Sequence, residues 1–503
     1  MERNSLVSSE ALDPRRWWTL AVLSLSLLVI GLDNTILNVA LPTLQRDLDA
    51  SASQLQWIVD VYMLVFAGVL LTAGSLGDRF GRKRALTFGL AVFGLGSLGS
   101  ALASSPELLI VMRALMGIGG AFIMPSTLSI LVATFPAHER AKAIGIWAGV
   151  SGIGIAIGPV AGGWLIEHTS WAWIFLVNLP IVVVALAAGR WLVPESLDAS
   201  APKLDLRGFT LSFAALTTLI WGLIEAPARG WTDGPVLAAF AVALVVGVAF
   251  VVWERRAPSP MLDIELFRNP RFTASSAAIS LAFFALFGMI FFLTQYLQMV
   301  RGYDALEAGI KTLPVAAGLV FAGPSSTKLT EKLGLRIVVP LGLVFVAGGM
   351  YLISLADATS GYELIAAALV LLGYGIGTAM APATDAIMGV LPEAKMSVGS
   401  AINDTTRVAG GALGIAVLGS LLASSYRGDM DSIAGAPEPA RDSLAGALAT
   451  GNPQLIAAGQ EAFVNGMQTA TLVAVGVALA GAVIAAVFLP SEKRVRAGKA
   501  VTA

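Results

Sequence analysis

The chain has 503 residues, 56% of them hydrophobic and only 13% charged, with a mean hydropathy of +0.79. A soluble globular chain carries about 25% charged residues, so this composition excludes an ordinary soluble domain. The net charge of −1 says little by itself, and the absence of cysteine removes disulfides and thiolate chemistry at once. Only His138 and His168 are histidines, both near loops, which leaves no basis for a histidine metal site or an enzyme centre.

In chain order, residues 1–16 form a polar segment without a cleavable signal pattern, so the first apolar run reads as a retained helix. Crossing the hydrocarbon core takes about 20 mostly apolar residues. On that criterion the sequence predicts fourteen helical spans: 17–42, 54–76, 84–103, 107–133, 141–166, 172–192, 207–226, 235–253, 272–298, 308–329, 336–356, 362–391, 397–424 and 464–489. Connections are short except at 190–206, 254–271 and the Ala/Gly/Pro-rich stretch 425–462, which reads as an external loop; residues 490–503 form a tail. With the N-terminus inside, 24 of the 32 Lys and Arg fall in cytoplasmic segments and six in external ones, leaving Arg113 and Arg407 within spans. That asymmetry is what the positive-inside rule expects of an even number of spans with both termini cytoplasmic.

Between spans two and three, Gly74 to Arg84 reads Gly-Ser-Leu-Gly-Asp-Arg-Phe-Gly-Arg-Lys-Arg. A thinner copy, Leu329-x-Glu331-Lys332-Leu333-Gly334-x-Arg336, returns 253 residues later. Similar offsets relate Glu139…Lys142 to Glu393…Lys395 and Gly117…Pro125 to Gly373…Pro382. Spans one to six therefore map onto spans nine to fourteen. The sequence predicts an N-terminal six-helix bundle (17–192), a two-helix insert with flanking loops (193–271) and a C-terminal six-helix bundle (272–489). Two homologous halves holding substrate between them is a plan for alternating access.

Several motifs now add up. Leu32-Asp33-Asn34-Thr35-Ile36-Leu37-Asn38, Arg113-Ala-Leu-Met116-Gly117 and Gly149…Gly154…Gly158-Pro159…Gly162-Gly163 fall in order on spans one, four and five. Trp171 to Pro180 and Tyr296 to Pro314 follow. With Gly74–Arg84 they make the chain similar to the major facilitator superfamily, and within it to the fourteen-span drug:proton antiporter-2 family. Met116 departs from the family pattern, which usually has a polar residue there. The resemblance implies an all-α membrane protein of the major facilitator fold. It also implies efflux of drugs or antibiotics driven by a proton gradient, with no cofactor.

The residues themselves support specific roles. In the basic turn, Gly74 and Gly81 permit bending and close approach, while Asp78, Arg79 and Arg82 suit a cytoplasmic latch between the halves, with a plain positive-inside anchor as the alternative. Six ionisable residues fall within spans: Asp33, Asp60, Arg113, Asp385, Asp404 and Arg407. Intramembrane charges normally face a bundle interior or a cavity. At 1.5 Å per residue, Asp33 lies roughly 14 Å from the outer end of span one, and Asp60 and Arg113 roughly 9 Å along spans two and four. Asp33 is the expected proton and substrate carboxylate, with Arg113 as partner, and Asn34 and Asp60 complete the candidate set. A static ion pair and a headgroup-level Asp60 stay open as structural alternatives. Asp404 and Arg407, three apart, share a helix face and pair with each other or serve transport; Asn403 and Asp385 complete the polar set of the second bundle. Gly154, Gly158 and Gly162 line one face of span five and, with Pro159, suit a hinge and seal between the halves, with ordinary close helix packing as the alternative.

The expected partners are an amphipathic small molecule, cations among its class, and protons in a multi-pass protein of the cell membrane. No nucleic acid is expected, and a single chain contains a complete pathway. A dedicated exporter of an endogenous metabolite, such as a self-made antibiotic, siderophore or lipid, is the alternative. A nucleotide-driven pump is excluded, since no G-x-x-x-x-G-K-[ST] loop occurs.

Overall fold

The computed structural model describes residues 15–197, 204–390 and 396–489. Most of the expected terminal segments 1–16 and 490–503, and Glu393 and Lys395 of the second half, lie outside the described residues. Among the described residues the secondary structure is entirely helical. The first group comprises α1 (Arg16–Asp47), α2 (Ala52–Phe80), α3 (Arg82–Ala101), α4 (Pro106–Thr134), α5 (Ala137–His168), α6 (Trp173–Leu176) and α7 (Asn178–Leu192). Next come α8 (Leu206–Arg229) and α9 (Gly234–Glu254), then α10 (Pro270–Gln295), which continues as a π-helix over Tyr296–Val300. The chain closes with α11 (Ala305–Lys311), α12 (Pro314–Leu333), α13 (Leu335–Ser354), α14 (Tyr362–Met388), α15 (Met396–Asp431), α16 (Glu438–Asp442), α17 (Leu444–Ala449) and α18 (Pro453–Phe488).

Thirteen helical stretches among the described residues are long and apolar enough to cross a bilayer. Helix α5, 32 residues long, covers the remaining expected span. Spans six and ten are each broken near one end, into α6 and α7 and into α11 and α12. The stretch expected as a long loop at 425–462 is largely helical, because α15 runs on to Asp431 and α18 starts at Pro453. The outer surface is apolar: α9 has the highest mean hydropathy, 2.8, yet only 11% of its most apolar window is buried within the protein. In water that distribution would be inverted, so the surroundings of α9 are hydrocarbon.

Packing repeats as the sequence does. In the first half α1 lies on α5, α3 on α4 and α2 on α4; in the second, α10 lies on α15, α13 on α14 and α12 on α14. Helices α8 and α9 pair with each other, and α8 also lies against α2 and α15. The Phe213 ring fills the space over Gly68, and Trp231 Nε1 donates to Ser424 Oγ at 3.0 Å, so the insert covers the seam where the halves meet.

Candidate functional site

Within the first half, Asp33 and Arg113 come together as expected. Arg113 Nη1 lies 2.6 Å from Asp33 Oδ2, and both side chains are fully buried. The guanidinium also donates from Nε to the Ile58 carbonyl (3.1 Å), stands 4.4 Å from the centroid of the Tyr62 ring, and has Met116 Sδ 3.9 Å from Nη1. Met116, the departure from the family pattern, thus fills the site beside the cation with a weak acceptor. Asp33 Oδ1 and the Tyr62 hydroxyl have no hydrogen-bond partner. A buried carboxylate with one satisfied oxygen is only half compensated, which suits a group that exchanges its proton more than one serving packing alone.

Asp60 is not brought to this pair. It is fully buried within the protein, and neither of its oxygens has a hydrogen-bond partner. Ile58 and Tyr62, each two residues away, face Arg113; at about 100° per residue Asp60 therefore points to the other side of α2. That side carries Gln56, four residues earlier, which packs against Gly419 of α15.

The two halves meet at one end. Thr294 Oγ1 donates to the Asn38 carbonyl and Gln298 Nε2 to the Val39 carbonyl, both at 2.8 Å, joining α10 to α1. A Cβ on Gly309 of α11 would run into the Pro159 carbonyl, and one on Gly163 into Ala305. Beside this seal lies a small surface cleft of about 30 Å³ lined by Gln45, Gln56, Phe291, Gln295 and Tyr426 among others. It belongs to the junction and lies away from the Asp33–Arg113 pair. Half-buried Asn34 precedes Asn38 by one helical turn, so it occupies the same α1 face just below the seal.

The glycine stripe of α5 has a different partner from the one expected. A Cβ on Gly154 would approach the Leu28 carbonyl, one on Gly158 would run into Thr35 Oγ1, and one on Gly162 would meet Ile36. All three face α1 inside the first half, where Thr35 Oγ1 donates to the Ile155 carbonyl at 3.1 Å. Contact between the halves comes from their neighbours, Pro159 and Gly163. The signal for Gly163 was present in the doubled glycine of the motif; its partner Gly309 is visible only in three dimensions.

In the basic turn, α2 ends at Phe80 and α3 begins at Arg82, with Gly81 at φ +116° making the corner that an L side chain would strain. Arg82 Nε lies 2.7 Å from Asp78 Oδ1, and Arg79 stands over the Phe80 ring. The turn is anchored by the chain leaving α7. Arg82 N–H donates to the Ser196 carbonyl (2.9 Å), Lys83 N–H to Glu195 Oε1 (3.1 Å), and Lys83 Nζ to the Arg190 carbonyl (2.8 Å). Gly74 packs on Pro125 of α4. These contacts remain on the first half's side of the molecule, and Glu195, which sequence reasoning passed over, holds the turn.

In the second half Asp404 and Arg407 form a pair at 3.1 Å, and the guanidinium lies 4.8 Å from the centroid of Phe283 on α10. Asn403 is buried with its Oδ1 unpartnered. Asp385 is exposed and stands outside this cluster, so burial does not demand a partner for it as its place in a span suggested.

Two repeated helical halves in a lipid-facing shell, joined at one end and with a buried ion pair inside the first, define a membrane transporter rather than an enzyme. Residues 23–415 match the family model described as Major Facilitator Superfamily, and the chain belongs to that superfamily. It is 39% identical over 485 residues to the multidrug efflux pump LfrA of Mycolicibacterium smegmatis, covering 94% of this chain and 96% of that one. It is also 36% identical to the tetracenomycin C resistance and export protein of Streptomyces glaucescens (82% and 76% covered). With the methyl viologen resistance protein SmvA of Salmonella typhimurium it shares 35% (82% and 83%). A solved bacterial homologue of the human lysosomal transporter Spinster shares the fold, with a TM-score of 0.69 at 18% identity over 95% of this chain and 98% of that one. The protein is a multi-pass membrane transporter of small molecules.

Proposed function

We propose that this transporter expels amphipathic drugs or antibiotics across the cell membrane in exchange for protons, with no bound cofactor and with the proton gradient as the energy source. The observation that carries the reading is the fully buried Asp33–Arg113 pair, one carboxylate oxygen of which lacks a partner. A proton arriving at Asp33 cancels its charge and releases Arg113 to the Ile58 carbonyl and the Tyr62 face. Its departure restores the pair. Protonation and pairing are therefore alternatives, and coupling follows if each favours a different arrangement of the halves 17–192 and 272–489. Asn34, below the seal on the same helix, is the substrate-facing neighbour of this switch.

The charge asymmetry of the loops makes the sealed end external, so the state shown is closed on the outer side. In the alternative state the basic turn at Gly74–Arg84 engages the second half and closes the cytoplasmic end. Relatives named for multidrug, methyl viologen and puromycin resistance support a drug substrate. Each chain contains both halves, so a monomer suffices.

The test is ethidium-driven proton release from proteoliposomes, comparing wild type with Asp33→Asn. Release that follows ethidium and vanishes in the variant supports the reading; undiminished release in the variant removes Asp33 from the coupling site.

A further inference from the structure

Helix α10 shows its inner face through its contacts. Thr294 and Gln298 donate to carbonyls of α1, and Phe291 lines the cleft beside the seal with Gln56 of α2. Stepping back along that face by four residues at a time gives Phe287 and then Phe283. Their rings are tilted neighbours with centroids 5.9 Å apart. Phe287 lies over Gly411 of α15, so the two rings run along the contact of α10 with α15 toward Arg407.

Arg407 rests on the inner end of this stripe. Its guanidinium covers the face of Phe283 and its Nη1 pairs with Asp404 at 3.1 Å, while its side chain keeps 27% of its exposure and that of Asp404 keeps 13%. An aromatic face backed by a carboxylate is a receptor for an organic cation, and here the chain supplies that cation itself. The fold does not require it: Arg407 stands 253 residues after Gly154, which in the first half lies flat against the backbone of α1.

We propose that Arg407 is a tethered stand-in for a cationic substrate, and that an aromatic cation reaching this partly exposed pair displaces it from Phe283 and takes Asp404 as counter-charge. The displaced guanidinium gives up its carboxylate and turns to its exposed side, where solvent takes the place of that partner. Asp404, Arg407 and Phe283 then set the preference for cationic over neutral compounds. This rests on the export reading above and adds a substrate class and a subsite to it.

Binding of ethidium, a permanent aromatic cation, and of Nile red, a neutral dye, to the purified full chain tests the idea. Removing the competitor in Arg407→Gln should tighten ethidium about fivefold and leave Nile red within about twofold, the range a single cation–π contact supports. Asp404→Asn should weaken ethidium about tenfold, and Arg407→Lys, which keeps a competing cation, should stay near wild type. If Arg407→Gln does not fold, Phe283→Leu must lower the preference for ethidium over Nile red. Ethidium binding no tighter in folded Arg407→Gln, or loss of both dyes together, overturns the proposal while wild-type export of ethidium leaves the export reading intact. A wild-type chain that neither binds nor exports either dye overturns both.

Discussion

Each half carries an aspartate–arginine pair within its spans, and the two pairs differ in what holds them. Asp33 and Arg113 come from separate helices 80 residues apart and are sealed from solvent, whereas Asp404 and Arg407 sit three apart on α15 and stay partly exposed. Breaking the first strands a charge where nothing else can solvate it. Breaking the second leaves groups that already keep part of their exposure. A long-range buried pair can thus couple charge to the arrangement of helices, while a local exposed pair is free to exchange one partner for another.

Cutting the two arginines is the most direct way to break this contrast. Arg113→Ala should cost about 3–5 kcal/mol, the usual penalty for an uncompensated buried charge, and abolish transport. Arg407→Ala should cost less than about 1 kcal/mol, as partly exposed pairs do. Unfolding in detergent compares them, and equal losses would erase the distinction.

The glycines of the repeat sharpen it further. Gly158 and Gly411 stand at the same repeat position, 253 residues apart. A methyl on Gly158 meets Thr35 Oγ1 and the α1 backbone, whereas on Gly411 it meets the edge of the Phe287 ring, which can turn. Gly158→Ala should therefore destabilise by about 1–3 kcal/mol and Gly411→Ala by less. The same unfolding assay reads both, and a larger loss at Gly411 would contradict the packing.

Smallest of all is a pH effect at the loop between α13 and α14. Asp357 Oδ1 accepts from Thr359 N–H and Oγ1 and from Ser360 Oγ, and these hydrogen bonds hold its carboxyl at about 2. A depressed carboxyl stabilises the fold above its unfolded value of about 4 and loses that contribution as pH falls toward about 2. Asp357→Asn should thus lower the thermal midpoint slightly at pH 7, with the gap narrowing by pH 3. A gap that widens on acidification would sink the assignment.

Much of the architecture is written in composition and period. Fourteen apolar runs, the 253-residue echo of Gly74–Arg84 and the skew of Lys and Arg specify a duplicated membrane protein, because a bilayer leaves a chain few options but spanning helices. Pairing Asp33 with Arg113 was also legible, since two costly charges at similar depth in one bundle have few other solutions. Direction around a helix was not. Depth grouped Asp60 with that pair, yet a two-residue step turns it to the opposite face of α2. The glycines of α5 announced a close contact without naming α1 as its partner. The seal through Pro159, Gly163 and Gly309, the anchoring of the basic turn by Glu195, and Arg407 on Phe283 required tertiary structure. Each depends on which helix lies alongside which, and a periodic pattern fixes the face of a helix but not its neighbour.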